Sequence, residues 1–285
     1  MSTGTDWTPS PRQLDRLAYR RRQSTRSLLL AAGSTLVIGV LLVAGIGSSP
    51  GWPRVRASFF DPEVAWRALP QVATGLWLNV RVWAAASAVS FVCGLGLALL
   101  RSLPGPVFWP LRALATAYVD LFRGLPLILV LLLVGFGVPG LRLQGVPSSA
   151  VVLGCVALVL TYSAYSAEVF RAGIESVHPS QRAAARSLGL GAGQTMRYVV
   201  LPQAVRRVVP PLLNDVVSLT KDSGLISVLG AIDAVRAAQI ETAKTFDFTP
   251  YVVAGALFVL LTIPLTRLTD AVSRRYGYLP TGGHL

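Results

Sequence analysis

Apolar residues in this chain fall into six long blocks: Leu28 to Gly47, then about 72–100, 113–138, 150–170, 208–230 and 250–268. A helix that crosses a membrane needs about 20 mostly apolar residues, and each block is long enough. The fifth is the least uniform, since it carries Asp215, Lys221 and Asp222. The first follows Arg20, Arg21, Arg22 and Arg26. Its apolar stretch exceeds the roughly 7–15 residues of a signal-peptide core, so it is expected to be a retained helix. Glycines recur inside the blocks, as at Gly94, Gly96, Gly135 and Gly137. Small residues let membrane helices approach closely where lipid supplies no hydrophobic drive between them.

Composition sharpens this picture. Soluble domains carry about 25% charged residues; here the share is 14%, with 53% apolar residues and a mean hydropathy of +0.57. Much of the surface must therefore face lipid. A net charge of +13 would suggest nucleic acid in a soluble protein, but these basic residues sit in short segments between apolar blocks. Their distribution sets orientation. With the N-terminus in the cytoplasm, inside segments hold 17 arginines, outside segments hold 6 basic residues, and Arg81, Arg123 and Lys221 lie within spans. The pattern predicts an all-α integral membrane protein, a six-helix bundle with both termini cytoplasmic.

Chemistry within the chain is sparse. Cys93 and Cys155 lie in separate apolar blocks and His178 is far from His284, so spacing assembles no metal site. A P-loop requires Gly-Lys-Ser/Thr, yet Lys221 follows Thr220 and Lys244 follows Ala243. The run Gly189, Gly191, Gly193 has the wrong spacing for a dinucleotide fingerprint. No catalytic cluster of nucleophile, base or metal ligands is visible.

The longest inner segment, 171–207, reads as two short helices. Pro179 suits a first helical position and Gly189 a left-handed stop. A second amphipathic stretch, Gln194 to Leu201, is expected to end at Pro202. In the first helix, Ala183, Ala184 and Ala185 form a surface that another protein can approach closely. Arg182 and Arg186, four apart, share a face and can meet a partner's carboxylates. Spacing alone leaves two readings open: a rigid knob that a partner moves, or a solvated loop obeying the charge rule.

The stretch Gln181-Arg182-Ala183-Ala184-Ala185-Arg186-Ser187-Leu188-Gly189, nine residues, then Val199-Val200-Leu201-Pro202 resembles the EAA loop of ABC-importer permeases. That pattern reads Glu-Ala-Ala, three residues, Gly, nine residues, Ile, one residue, Leu-Pro. Ala183 stands at the Glu position and Val199 at the Ile position. The likeness extends to Tyr118 with Phe122-Arg123-Gly124-Leu125-Pro126-Leu127, to Ala167-Glu168-Val169-Phe170-Arg171-Ala172-Gly173-Ile174, and to Leu201-Pro202-Gln203-Ala204-Val205-Arg206. Pro210-Pro211, Asn214 and Lys221-Asp222-Ser223-Gly224-Leu225 continue it. These are similar to the polar amino-acid branch, over about 70–275. Leu125, Val130, Gly224 and Asn79 depart from the residues usual there.

The resemblance implies a cytoplasmic tail at 1–26, an extra membrane helix with an outer segment at 27–71, a five-helix type I permease domain at 72–270 and a cytoplasmic tail at 271–285. It implies a permease subunit of an ATP-driven importer in the bacterial inner membrane. Its partners would be a cytoplasmic ATPase dimer, a second permease of the same or a related chain, and an extracytoplasmic solute-binding protein, with lipid around and no nucleic acid. ATP and magnesium would bind the ATPase, with no cofactor in this chain. Gln181, Arg182, Ala183, Ala184, Ala185, Arg186, Gly189, Leu201 and Pro202 would couple to it. An ion-coupled secondary transporter is the rival reading, but inverted repeats are not visible and the loop would have no use there.

For the solute, the fifth block offers a polar stripe. Asn214, Ser218 and Lys221 share one helical face, and Asp215, Ser218 and Asp222 an overlapping one. Intramembrane charges usually face a cavity or a partner, so Asn214, Ser218, Lys221 and Asp222 are pathway candidates; a broken helix end is the other reading. Asp120 and Arg123 are expected to pair with each other. Glu168 and Arg171 are expected to anchor the start of the inner loop. Arg81 faces the bundle interior or reaches the interface. Tyr162 and Tyr165 are expected to pack.

Overall fold

The computed structural model describes residues 10–276, and every regular element among them is helical. The ends of the two tails, 1–9 and 277–285 with His284, lie outside the described residues. The chain divides into two units, Met1–Ala57 and Ser58–Leu285.

In the first unit, α1 (Pro11–Gly47) starts well before its apolar block because its cap is local. Ser10 Oγ accepts the Gln13 N–H, Gln13 Oε1 accepts the Ser10 N–H, both at 3.4 Å, and Pro11 takes the first position. At 1.5 Å per residue its 37 residues reach about 55 Å. The short α2 (Trp52–Phe59) follows.

The second unit is organised by α3 (Pro62–Arg101), whose 40 residues begin at an Asp61 cap on the Glu63 and Val64 N–H groups. That cap and Pro62 start the helix ten residues before the expected span. Val72, Gly75, Asn79, Val82, Ala86, Ser90, Gly94 and Ala98 are all buried, at steps of three and four, which is one helical face. From about Val82 onward this face packs on α7 (Ala150–Glu175), while Val72, Gly75 and Asn79 meet segments further along the chain. At Gly94 the approach is close: a Cβ there would lie 2.6 Å from Ser166 Cβ and 3.0 Å from the Ala167 nitrogen.

Between these two, α4 (Trp109–Gly124) is followed by α5 (Leu127–Leu132), a π turn at Leu133–Gly137 and the single turn α6 (Val138–Gly140). The expected straight helix over 113–138 is absent. The two halves meet at 107°, because Pro126 disfavours helical backbone in the residue before it and Leu125 is extended at φ −90°, ψ 137°.

After α7 come α8 (Pro179–Ser187), the single turn α9 (Ala192–Thr195), a π turn at Met196–Val200 and α10 (Leu201–Asp222). The expected stop at Pro202 is not found. Pro202 lies in the first turn of α10, where its missing N–H leaves a carbonyl short of a donor. The π turn takes up the extra residue, and Gln203 Nε2 donates to the Val199 carbonyl at 2.9 Å. At its far end α10 passes into a 3-10 segment, Ser223–Leu229, closed by Gly230 at φ +88°. The chain then enters α11 (Ala234–Thr245) at 51° and finishes in α12 (Thr249–Arg275).

The main core joins α3, α5, α7, α10 and the 3-10 segment through Val82, Leu131, Leu158, Leu219 and Ile226. A second core joins the start of α3 to α11 and α12 through Val72, Ala234, Ala238 and Ala254. Outward positions stay apolar, as at Val92, Leu114 and Leu260, which suits lipid contact. Among the described residues four helices are long and apolar enough to cross a membrane, and each of the two bent pairs meets the same test taken together.

Candidate coupling and pathway sites

The inner loop is built as a braced knob. His178 starts α8: its Nδ1 accepts the Ser180 N–H at 3.2 Å, and Pro179 fills the first position. At the other end Leu190 N–H reaches the Ala185 carbonyl at 3.1 Å and Gly189 N–H the Arg186 carbonyl at 2.9 Å. That pair of bonds is a Schellman stop, which needs a left-handed residue, and Gly189 supplies φ +84°.

What the knob shows outward differs from the sequence expectation in two places. Only Ala183 and Ala184 of the three alanines are exposed; Ala185 is buried. Three consecutive helical positions span about 200° of arc, so one must turn inward. Arg182 does not stand free beside Arg186. It folds back, Nη2 donating to the Ile174 carbonyl at 2.7 Å, because the last carbonyls of α7 lack intrahelical donors. Gln181, Arg186, Leu188, Leu201 and Pro202 are exposed.

The brace is two-sided. Arg207 on α10 donates to the Ser176 carbonyl at the end of α7. Gly173 lets the two helices meet, since a Cβ there would lie 2.1 Å from Val208 Cγ2. Displacing α8 therefore pulls on the end of α7, to which α10 is tied.

Deeper along α7, Glu168 collects three arginines. Arg101 Nη1 of α3 approaches its Oε2 at 3.0 Å and Arg123 Nη1 of α4 at 3.6 Å, while Arg171 grips both oxygens. Arg171 also reaches Glu175 at 2.5 Å. The expected Asp120–Arg123 pair is thus replaced by one across helices: Glu168 is largely shielded, at 20% exposure, and a shielded carboxylate attracts a cation more strongly than an exposed Asp120 does.

The polar stripe of α10 divides. Asn214 and Lys221 are exposed on the chain's surface, and Ser218 is half-buried. Asp222 turns inward and accepts a bond from Tyr162 Oη at 2.7 Å, so Tyr162 has a polar partner as well as its edge contact with Tyr165. Asp222 is also the last α-helical residue before the 3-10 segment. Asn214 opens on a groove of about 540 Å³ between α10 and α12, shared with Arg207, Thr269 and Asp270.

Three residues missed from the sequence hold this region. Asn79 is buried in α3; its Nδ2 donates to the Ser223 carbonyl and to Asp233 Oδ2, each at 3.0 Å, and its Oδ1 accepts the Ala234 N–H. Trp83 Nε1 donates to the Val216 carbonyl at 2.9 Å. Asp233 caps α11 through the Arg236 N–H. An amide in the middle of an apolar block is the signal available, since intramembrane polar groups seek partners. The departure at Gly224 has a packing reason: a Cβ there would meet Phe258 at 3.3 Å and Val235 at 3.4 Å.

Comparison with known proteins agrees with this architecture. Residues 105–278 match the family described as binding-protein-dependent transport system inner membrane component. A probable glutamine ABC transporter permease protein, GlnM of Bacillus subtilis, is 40% identical over 193 residues, covering 67% of this chain and 86% of that protein. The arginine transport system permease protein ArtQ of the same organism is 32% identical, covering 73% and 93%. Among solved structures, an amino acid ABC transporter with histidines superposes with a TM-score of 0.67 at 34% identity, over 72% of this chain and 94% of that one. The MetNI methionine transporter shares the fold, at 20% identity and a TM-score of 0.59, over 76% and 99%.

Proposed function

The chain belongs to the family of binding-protein-dependent transport system inner membrane components, and from that premise we propose that this multi-pass permease subunit of an ATP-driven importer carries polar amino acids. Ion-coupled secondary transport is not favoured by this membership. The amino-acid class is supported by relatives whose names specify glutamine, arginine and glutamate.

On this reading each bent helix pair counts as one span, so six spans leave both termini in the cytoplasm. The tails are 1–26 and 271–285, the extra helix and its outer segment 27–71, and the permease domain 72–270 with its coupling loop at 171–207. A second permease, identical or related, completes the pathway. A dimer of ATPase subunits binds ATP and magnesium, and a binding protein delivers solute from outside.

One observation carries the coupling assignment: α8 is a short helix stopped at both ends and tied by Arg182 to the end of α7, which Arg207 of α10 also grips. A partner gripping the exposed Gln181, Ala183, Ala184 and Arg186 moves the end of α7, and with it the start of α10 fastened there. Arg182 and Ala185 hold the knob from beneath, Gly189 shapes it, and Leu201 and Pro202 begin the helix it drives. Ala183, where the family motif has Glu, leaves the gripping surface without a carboxylate.

Gly189→Val tests this directly. A Cβ at Gly189 meets open space, so the whole effect is backbone strain, about 1–2 kcal/mol for a left-handed residue with a side chain. Valine is a sharper probe than aspartate, which tolerates positive φ better. The reconstituted complex is expected to insert and assemble normally while solute-stimulated ATP hydrolysis falls several-fold. Unchanged stimulation would remove α8 from the coupling role.

For the pathway, Asn214, Ser218 and Lys221 present amide, hydroxyl and cation along α10, which suits the carboxylate and polar side chain of an amino acid. Asp222 holds Tyr162 and fixes the end of that stripe. Lys221→Gln and Ser218→Ala are each expected to raise the solute concentration for half-maximal transport about tenfold, equivalent to about 1.4 kcal/mol. Uptake assays on stably expressed variants with wild-type kinetics would take the stripe out of the pathway.

A further inference from the structure

Between α3 and α7 an open groove of about 670 Å³ remains, lined by Leu78, Val82 and Val89 on one side and Val152, Cys155 and Val156 on the other. Its volume is in the range of about 300–1,000 Å³ that binds small molecules. The single charge in its lining is Arg81. Arg101, Arg123 and Arg171 all end on Glu168, whereas Arg81 is exposed and no described residue pairs with it.

Depth follows from the sequence. No charged residue falls between Arg81 and Arg101, an interval of about 30 Å along the helix, which equals the hydrocarbon thickness of a bilayer. Arg101 thus marks one boundary and Arg81 the other. Trp77, one turn before Arg81 and 61% exposed, is the residue type that collects at a membrane surface. From Arg81 to Val89 the groove runs about 12 Å into the hydrocarbon, within the share of one leaflet. A protein helix seated there would continue across both leaflets; an acyl chain from one leaflet would stop where the groove stops.

We propose that this groove seats one anionic phospholipid of the outer leaflet, its phosphate gripped by Arg81 and one acyl chain lying along the valines of α3 and α7. The outer assignment rests on the orientation proposed above. A guanidinium meets phosphate oxygens through two parallel hydrogen bonds, and with no protein carboxylate beside it Arg81 favours a headgroup that brings no cation of its own. The seat braces the α3–α7 seam from the lipid side.

The test uses the assembled permease–ATPase complex in phosphatidylcholine nanodiscs containing a minor share of phosphatidylglycerol, extracted gently and weighed by native mass spectrometry. Wild type is expected to keep about one phosphatidylglycerol per permease chain, in line with a single-headgroup site. Arg81→Gln is expected to lose it several-fold, and Val156→Trp, which fills the groove, to keep neither lipid. Arg81 is exposed, so its variant decides the matter even if the tryptophan variant fails to assemble. Equal retention by wild type and Arg81→Gln overturns the proposal, as does indifference between the two lipids. So does a Cys155–Cys155 cross-link between two permease chains in a Cys93→Ser background, which would give the groove to a second copy. A complex that hydrolyses ATP in response to solute yet keeps no phosphatidylglycerol overturns the lipid seat alone and leaves the transport reading standing.

Discussion

Replacing Glu168 by alanine is expected to disable the permease more severely than any change in the coupling loop. Its carboxylate is the shared end point for arginines from α3, α4 and α7, and Arg101 at 13% exposure has no other described carboxylate within reach. Removing one partner of a shielded ion pair costs about 3–5 kcal/mol, because the remaining charge is left unpaired. With Glu168 itself at 20% exposure the lower end applies, about 3 kcal/mol, more than a hundredfold in an equilibrium constant. Detergent-solubilised protein is expected to melt earlier and to lose monodispersity on gel filtration. Arg171, which keeps Glu175, is the least affected of the three. The discriminating measurement is a double-mutant cycle: Glu168→Ala with Arg101→Ala should be clearly less destabilising than the sum of the two singles. Strict additivity would mean that Arg101 and Glu168 are not energetically coupled.

The second large effect is expected from a single methyl group. Gly75 of α3 lies directly on the chain that opens α11: a Cβ would sit 2.4 Å from the Asp233 carbonyl carbon and 2.5 Å from the Ala234 nitrogen. These are backbone atoms held by Asn79 and by the Asp233 cap, so they cannot step aside as a flexible side chain would. Alanine in place of helical glycine normally gains about 1 kcal/mol, but overpacking typically costs about 1–3 kcal/mol and more where nothing yields. The clash wins, and Gly75→Ala should lower the thermal midpoint of the solubilised complex. Gly96 on the same helix has open space around its Cβ position, so Gly96→Ala should hold or raise it. Equal behaviour at both positions would refute the close approach of α3 to α11.

The balance of these two predictions shows where legibility ended. Gly75 and Gly96 look alike in the chain, each a glycine in one apolar stretch, and only one is pressed against another backbone. Arg182 and Arg186 look alike as well, four apart on one face, yet one is spent on a carbonyl of the preceding helix and the other stays exposed. Asp120 is nearer to Arg123 in sequence than Glu168 is, but Arg123 forms its ion pair with Glu168. In each case a neighbour far along the chain decided between equivalent local candidates.

What the sequence by itself determined is whatever a short stretch settles with its solvent or its own backbone. Apolar blocks long enough to cross a bilayer are such a feature, and α8 is bounded by Pro179 and Gly189 through the φ angles those residues permit. That helix was legible for the same reason, since one turn-bounded helix is a local object. The tertiary structure alone decided which helical faces meet, that Glu168 binds α3 to α4 and α7, and that Asn79 and Asp233 fasten α11 to the bundle. It also decided that the polar stripe of α10 divides between Tyr162 and the chain's open surface. Lipid is as apolar as leucine, so hydropathy marks a helix as membrane-spanning without saying which side faces its neighbours. That choice falls to close packing and to the few polar groups that must find one another across the bundle.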